Sequence, residues 1–291
     1  PADGTSHGGV GEAGTFTISD SAHVATRYDL TLNSRALPSV TTTAGAARQV
    51  QVVPDRSGPN QLTVQAFTQA GQNTESTTYE FLAKAGADPV ARFSLNEPAG
   101  SPQVTASSPG IAARLRGTAE LGAGGKSGTA LSLDGVSGFA ESTLPVVDTT
   151  ESFSVSAWVK PTQTKIGDVL AQTGTFQGGF YLGMQPSGVP VLKWPSTDTN
   201  DGGGAWQNAQ DDTPLPLGEW SHLTGVYDKD AAQMRLYVNG QLQATVNNAT
   251  TLDTHGAVQI GRSFYNGTYV NYWPGSIDDV QVKGKRVLVR V

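Results

Sequence analysis

The sequence predicts an all-β chain in two parts, a small β-sandwich followed by a larger two-sheet jelly roll. Three observations predict it. Apolar and polar residues alternate with a period of two in many short runs, the pattern of strands with one buried face. Turn residues separate these runs, and no stretch before Ala85 carries a 3.6-residue apolar period. A segment of small residues with Gly and Pro, AKAGADPV from Ala83 to Val90, interrupts the pattern and reads as a linker. The boundary is expected near Gly86, giving domains over 1–86 and 87–291.

In the first part the strand-like runs are GTFTIS, RQVQVV, NQLTVQAFT and TTYEFLAK. Several short strands at regular spacing predict a small sandwich. In the second part they are VARFSL, TALSLDG, FSVSAWVKP, DVLAQT, GFYLGMQ, PVLKW, SHLTGVY, MRLYVNG, QLQATV, GAVQIGRS and IDDVQVK. About eleven strands without a helix exceed a minimal sandwich and suit a two-sheet jelly roll. The best-defined pair is Gln233–Val246. Met234, Leu236 and Val238, then Leu242, Ala244 and Val246, fall on one face around Asn239-Gly240. Asn-Gly between alternating runs is a hairpin signal, because a type I′ turn needs φ > 0 at both central positions. The Pro- and Gly-containing polar segment 197–217 is expected to be a long surface loop.

Composition narrows the function. Lys plus Arg is 19 against 25 Asp plus Glu, a formal charge of −6 over 291 residues. That is a poor electrostatic match for nucleic acid, and Lys283-Gly284-Lys285-Arg286 is too short a basic run to change it. The absence of Cys excludes disulfides, thiolate metal sites and a Cys nucleophile. No apolar run approaches the ~18 residues that cross a bilayer, so no membrane insertion is expected. The low charged fraction, 15%, and abundant Gly, Ser, Thr, Asn and Gln read as an extracellular β domain. The start at Pro1, with no signal peptide, reads as an internal fragment or a processed chain.

Catalytic patterns fail one by one. Gly4-Thr5-Ser6-His7-Gly8 matches G-x-S-x-G, but no strand precedes it and no helix follows. Gly125-Lys126-Ser127 resembles the end of a phosphate loop, yet Glu120 stands at the first Gly position and a strand follows. His7, His23, His222 and His255 are not paired at metal spacing, and His222 reads as a packed sheet residue. No Glu opens the E-x-D-x-x-E strand that laminarinase-type glucanases use to place paired carboxylates on one face. No enzyme is expected.

Two kinds of candidate site remain. Glu97, the Asp134-Gly135 corner, Asp278-Asp279 and Asp211-Asp212 are acidic strand ends. Such corners supply the carboxylate and carbonyl oxygens that Ca²⁺ takes, and they equally serve as turn caps. Aromatics are the other kind. RSFYNGTYVNYWPGS holds Phe264, Tyr265, Tyr269, Tyr272 and Trp273. Trp158 alternates against Phe153, Val155, Ala157 and Val159 and so faces away from their core, while Trp194 and Trp206 flank the long loop. Exposed aromatic faces suit sugar stacking, with Trp158, Trp206, Tyr265, Tyr269 and Tyr272 the candidate contacts, and core or loop packing is the competing role.

Six segments, ARFSLNEPAG, GTALSLDGVSGFAES, FSVSAWVKP, GEWSHLTGVYDKDAAQMRLYVNGQLQAT, VQIGRS and YWPGSIDDVQV, resemble in order and spacing a laminin-G-like, concanavalin-type jelly roll of bacterial secreted proteins. The stretch GPNQLTVQAFTQAGQNTESTTYEFLAK resembles the immunoglobulin- or fibronectin-III-like modules that precede such domains. The resemblance implies a non-catalytic module, secreted or on the bacterial cell surface, that binds extracellular glycan or a cell-surface component. The alternative is a spacer or protein-interaction module beside a catalytic or toxin domain of a larger polypeptide. It also implies structural calcium, with Asp278 the foremost ligand and Glu97, Asp134 and Gly135 behind it. The family continues after the last strand with Tyr and a short R-A-L-S segment. KGKRVLVRV stands here instead, implying an altered edge or a following domain.

Overall fold

A computed structural model describes residues 9, 14–54, 56–84 and 88–285. The Gly4–Gly8 motif, Gly86 and residues 286–291 lie outside the described residues. The chain divides after position 87 into two compact units.

The first unit holds β1 (Gly14–Ile18), β2 (Ala25–Leu32), β3 (Arg35–Thr41), β4 (Arg48–Val52), β5 (Gly58–Thr68) and β6 (Asn73–Ala83). One sheet has the order β3-β2-β5-β6, and β1 pairs with β4 in a second. Ile18, Tyr28, Leu30, Leu32, Val52 and Leu62 form their shared core. The β2–β3 hairpin was not among the sequence-predicted strands. Its turn is Asn33-Ser34, both with φ > 0 (49° and 73°), and Leu32 pairs with Arg35 across it. A two-residue turn of this hand needs αL at both positions, which Asn tolerates best among non-Gly residues. The missing Gly hid the signal.

The second unit begins with β7 (Ala91–Phe93), β8 (Gln103–Thr105), β9 (Ala112–Arg116), β10 (Glu120–Gly124), β11 (Thr129–Asp134) and β12 (Phe139–Ser142). It continues with β13 (Phe153–Pro161), β14 (Gly167–Thr173), β15 (Gly178–Met184), β16 (Pro190–Pro195), β17 (Trp206–Gln210) and β18 (Ser221–Asp228). It ends with β19 (Gln233–Val238), β20 (Gln241–Asn247), β21 (Val258–Ile260), β22 (Ser263–Tyr265), β23 (Thr268–Val270) and β24 (Pro274–Gly284). Two eight-stranded sheets result. The first runs β10-β11-β24-β13-β18-β19-β20, with β7 also paired to β24, and the second runs β17-β16-β15-β14-β21-β12-β9-β8. The predicted all-β architecture and two-sheet jelly roll are what the chain adopts. Phe93, Leu131, Phe153, Leu170, Phe180, Leu192, Trp194, Leu236, Trp273 and Ile277 fill the space between the sheets.

The sheets differ in their outer faces. In the first, β13 and β18 alternate strictly between buried and half-buried residues. In the second, every residue of β14, β15 and β16 is buried. The β22–β23 hairpin, which packs on β14 and β15, is one cover. Part of the segment expected as a loop is strand β17, which pairs with β16 from Pro195↔Trp206 to Val191↔Gln210.

The predicted β19–β20 hairpin turns at Asn239 (φ 51°) and Gly240 (φ 77°), as a type I′ turn demands. One detail of the expected alternation fails. Leu236 pairs with Ala244 but Tyr237 with Leu242, so Gln243 is an extra residue. A bulge of one residue moves what precedes it to the other face. Leu242 is therefore 52% exposed, while Ala244 and Val246 pack against the core.

Candidate functional site

The outer face of the second sheet is built around Tyr181. On β15 that face reads Gly178, Tyr181, Gly183, because Phe180 and Leu182 point into the core. Tyr181 pairs with Lys193 on β16 and with Ala171 on β14. Its hydroxyl accepts from the Gly178 N–H and donates to the Phe264 carbonyl at 2.7 Å. Burial pushes the Tyr181 phenol well above its ordinary range. Trp206 lies 5.4 Å from the Tyr181 ring and Tyr265 lies 6.0 Å from Trp206, centroid to centroid. Both outer rings are half-buried, and the Trp206 indole N–H is tied to the Gly202 carbonyl at 2.9 Å. A run of three rings with two open to solvent thus crosses β15, β17 and β22.

A second aromatic group centres on Arg262, which is buried. Its Nε donates to Gln259 Oε1 at 2.8 Å and its Nη2 to Glu141 Oε2 at 2.9 Å. Phe139 and Tyr269 lie over the guanidinium, their ring centroids 3.3 and 3.4 Å from the guanidinium carbon. Tyr272 meets Phe139 edge to face at 6.3 Å, and Tyr269 remains 39% exposed. Four of the five sequence-predicted contacts, Trp206, Tyr265, Tyr269 and Tyr272, therefore sit on β17 and the β22–β24 region. Trp158 does not join them. It lies on β13 in the first sheet, half-buried, 5.0 Å from the His222 ring with Lys126 Nζ 4.5 Å from its centroid. Trp194 and Trp273 are fully buried in the core.

The acidic candidates separate by the state of their oxygens. Asp278 lies inside β24 rather than at the strand opening expected from the sequence, because pairing with β11 and β13 already begins at Pro274 and Gly275; it is fully buried and pairs in register with Trp158. Its Oδ2 accepts the Ser127 N–H at 2.9 Å, and its Oδ1 has no hydrogen-bond partner among the described residues. Burial raises its pKa. Asp279, at φ 46° in a bulge, pairs instead with Arg92. Glu97 Oε1 accepts the Thr105 N–H at 2.8 Å, and its buried Oε2 likewise has no partner among the described residues. The turn before β11 links these places: Ser127 reaches Asp278, and Thr129 N–H donates at 2.7 Å to Asn96, next to Glu97. Asp134 is different. Its Oδ1 accepts the N–H groups of Val136, Ser137 and Gly138 and its Oδ2 accepts the Ser137 hydroxyl. Partial desolvation opposes these hydrogen bonds, and the bonds win, holding its carboxyl far below the usual range. The Gly135 carbonyl accepts from Lys165 Nζ at 2.7 Å. This corner's acceptors face donors of the chain itself, whereas one oxygen each of Asp278 and Glu97 is left without a hydrogen-bond partner among the described residues. No group of three or more His, Cys, Asp and Glu gathers among the described residues.

Comparison with known proteins decides the family. The sequence profile Laminin_G_3, concanavalin A-like lectin/glucanases superfamily, matches residues 134–288. The chain belongs to the concanavalin A-like lectin/glucanase superfamily. Within this superfamily member, 119 residues are 31% identical to the mouse pentraxin-related protein PTX3, covering 38% of the chain and 28% of that relative. The human pentraxin-related protein PTX3 is 29% identical over 115 residues, again 28% of its length. The chain thus spans under a third of these curated relatives. Among solved structures, Domain 4 of AbnA, an extracellular arabinanase from Geobacillus stearothermophilus, was determined in complex with arabinotriose. It superposes with a TM-score of 0.52 at 18% identity, over 69% of this chain and 95% of that domain. The likeness is one of fold.

Sequence reasoning missed Tyr181, Lys193, Asp168 and Arg262. Strands β14, β15 and β16 read as continuous apolar runs, GDVLAQT, GGFYLGM and PVLKWP, so no alternation marks an outer face. The available signal was a charge inside such a run: Asp168 and Lys193 are the charged residues of these three strands, and charged side chains are seldom fully buried unless paired.

Proposed function

We propose that this chain is a non-catalytic recognition module that binds extracellular glycan on the outer face of the second jelly-roll sheet. The Tyr181–Trp206–Tyr265 run carries the reading, two half-exposed rings anchored on a third that is held rigid by its hydroxyl. Rings of this kind offer large apolar area at low entropic cost to the C–H face of a sugar. Tyr269 and Tyr272 extend the same side of the sheet. The reading includes a first unit of immunoglobulin- or fibronectin-III-like type over 1–86, a jelly roll over 87–291 and a place in a larger polypeptide secreted by, or displayed on, a bacterium. Binding by a glycan array and calorimetry tests it: wild type should retain at least one oligosaccharide that Trp206→Ala loses, and absence of any glycan or cell-wall polysaccharide binding overturns it.

Calcium enters the reading at Asp278, with Glu97 following β7, the first strand of the second unit. The ion would neutralise a buried carboxylate and add to the tie between the domain's two ends. A ligand that binds only the folded state stabilises it by about 2.7 kcal/mol at a hundredfold excess over Kd. Chelator should lower the melting temperature, Asp278→Asn should reproduce that, and chelator should then add nothing. Identical melting with and without chelator, and no calcium by metal analysis, contradicts the metal site.

A second reading, a spacer or protein-interaction module, draws on β20. This edge strand, QLQATVN, carries no charge and no Pro, the devices that usually block edge pairing.

A further inference from the structure

Three segments around the ring run meet at one side chain, Asn266. It is the first of two turn residues in the β22–β23 hairpin, whose strands close with the pair Tyr265↔Thr268. Asn266 and Gly267 have φ 49° and 71°, the left-handed pair that a two-residue hairpin turn requires. Asn266 Oδ1 accepts from Gln177 Nε2 at 2.6 Å and from the Gly202 N–H at 3.0 Å. The Gly267 N–H donates to the Phe176 carbonyl at 2.9 Å. The hairpin tip is thereby tied both to the β14–β15 turn and to the segment before β17.

That segment has little stiffness of its own. Gly202, Gly203 and Gly204 all have positive φ, 97°, 79° and 68°. Consecutive glycines lose the most conformational entropy on ordering, and no side chain biases them toward this path. Yet Gly202 holds a ring of the site, since its carbonyl accepts the Trp206 indole N–H at 2.9 Å. It also lies against the next ring, because a Cβ at Gly202 would stand 3.6 Å from the Tyr265 hydroxyl oxygen. Other bonds secure the rest of the segment. Asp198 accepts the N–H groups of Thr175, Phe176 and Gln177, each at 2.7 Å, and Gln177 Nε2 donates to the Thr199 carbonyl at 2.8 Å. The Gly203 carbonyl accepts the Ser196 and Thr197 N–H groups at 3.0 Å. Gly202 itself is fixed from outside the segment, by Asn266.

We propose that Asn266 is the positioning residue of the ring run. Through Gly202 it sets Trp206 beside Tyr265 before a sugar arrives, so the sugar meets a surface already formed. A ring ordered in advance spares the ligand the cost of immobilising it, and that saving appears as affinity. The inference rests on the glycan-binding reading and adds the residue that preorganises the site.

The test compares Asn266→Gly with Asn266→Asp. Glycine adopts φ 49° without strain, and Gly-Gly is itself a favoured pair for this turn, so the hairpin is kept and only the acceptor is lost. Aspartate keeps an acceptor oxygen and tolerates the same φ. Two quantities are read: hydrogen exchange of the Gly202 N–H and the Trp206 indole N–H by NMR, and affinity for arabinotriose, cellotriose and sialyllactose by calorimetry. Asn266→Gly should speed both exchange rates at least tenfold and weaken the best-bound trisaccharide at least fivefold. Asn266→Asp should stay within threefold of wild type in both. A merely structural role would lower the melting temperature of Asn266→Gly and leave its affinity and exchange rates at wild-type values. That result overturns the inference, and where Trp206→Ala abolishes binding in the same assay the glycan reading stands without it. Failure of Asn266→Asp to restore affinity also overturns it. Binding of none of the three by wild type overturns the inference as stated, and the glycan array then decides the broader reading.

Discussion

The two outer faces of the jelly roll each carry a half-buried tryptophan, and they differ in what surrounds it. Trp158 stands on an open, strictly alternating sheet, with Lys126 over its face and His222 beside it. Trp206 stands at the edge of a sheet whose central strands are buried on both sides, in line with Tyr181 and Tyr265. The first ring is occupied by the chain's own cation. The second is part of a run of three rings, in a sheet where buried Asp168 keeps one oxygen without a hydrogen-bond partner among the described residues. Burial explains the difference. A sheet face open to water satisfies its polar groups with solvent, whereas a covered face must satisfy them internally or leave them to a ligand.

The largest expected effect comes from breaking the covered face. Asp168→Ala strands Lys193 in a buried position and removes the acceptor of Ser263 and Asn271. Breaking a buried pair in this way costs about 3–5 kcal/mol. Denaturant unfolding should show it, and a loss below ~1 kcal/mol would mean solvent reaches Lys193 freely. The open face should be far more tolerant, and Gly240→Val sets its scale. Nothing crowds a side chain at Gly240, so the cost is that of φ 77° for a β-branched residue, at least ~1 kcal/mol. An unchanged melting temperature would contradict the type I′ turn.

A smaller effect separates the faces by pH. Desolvation lowers the His222 pKa below its ordinary 6.5, partly offset by Asp279. The unfolded chain then takes up the proton first, so stability is full above about 6.5 and falls as pH drops toward the folded value. Melting temperatures from pH 7.5 to 5 should decline more in wild type than in His222→Gln, and parallel curves would contradict the shift. Smallest of all, Leu242→Thr should leave stability within ~0.5 kcal/mol, because the bulge at Gln243 puts this side chain in water.

The same contrast governs what could be read from the sequence. Alternation in FSVSAWVKP and SHLTGVY revealed the first sheet, its buried face and the outward Trp158. Asn239-Gly240 revealed a turn, but the one-residue bulge after it leaves no mark in the pattern, and Leu242 was misplaced. In β14–β16 burial on both faces erased the period, so Asp168, Tyr181 and Lys193 could be placed only by register. Asp134 and Asp278 looked alike as strand-end acids. What distinguishes them is a following Ser137-Gly138 turn that saturates one and a remote Ser127 that half-satisfies the other. Trp206 and Tyr265 were legible as candidates by their aromatic character, although 59 positions apart their pairing was not.

We propose that recognition belongs to the covered face rather than the open one. The most direct measurement is the affinity of Trp206→Ala and Trp158→Ala, side by side, for an oligosaccharide that wild type binds. Loss of a stacking ring at a binding centre costs about 1.4 kcal/mol or more, a tenfold rise in Kd. Trp206→Ala should show that rise, with Trp158→Ala within twofold of wild type. Loss of affinity in Trp158→Ala with Trp206→Ala unchanged would contradict the account.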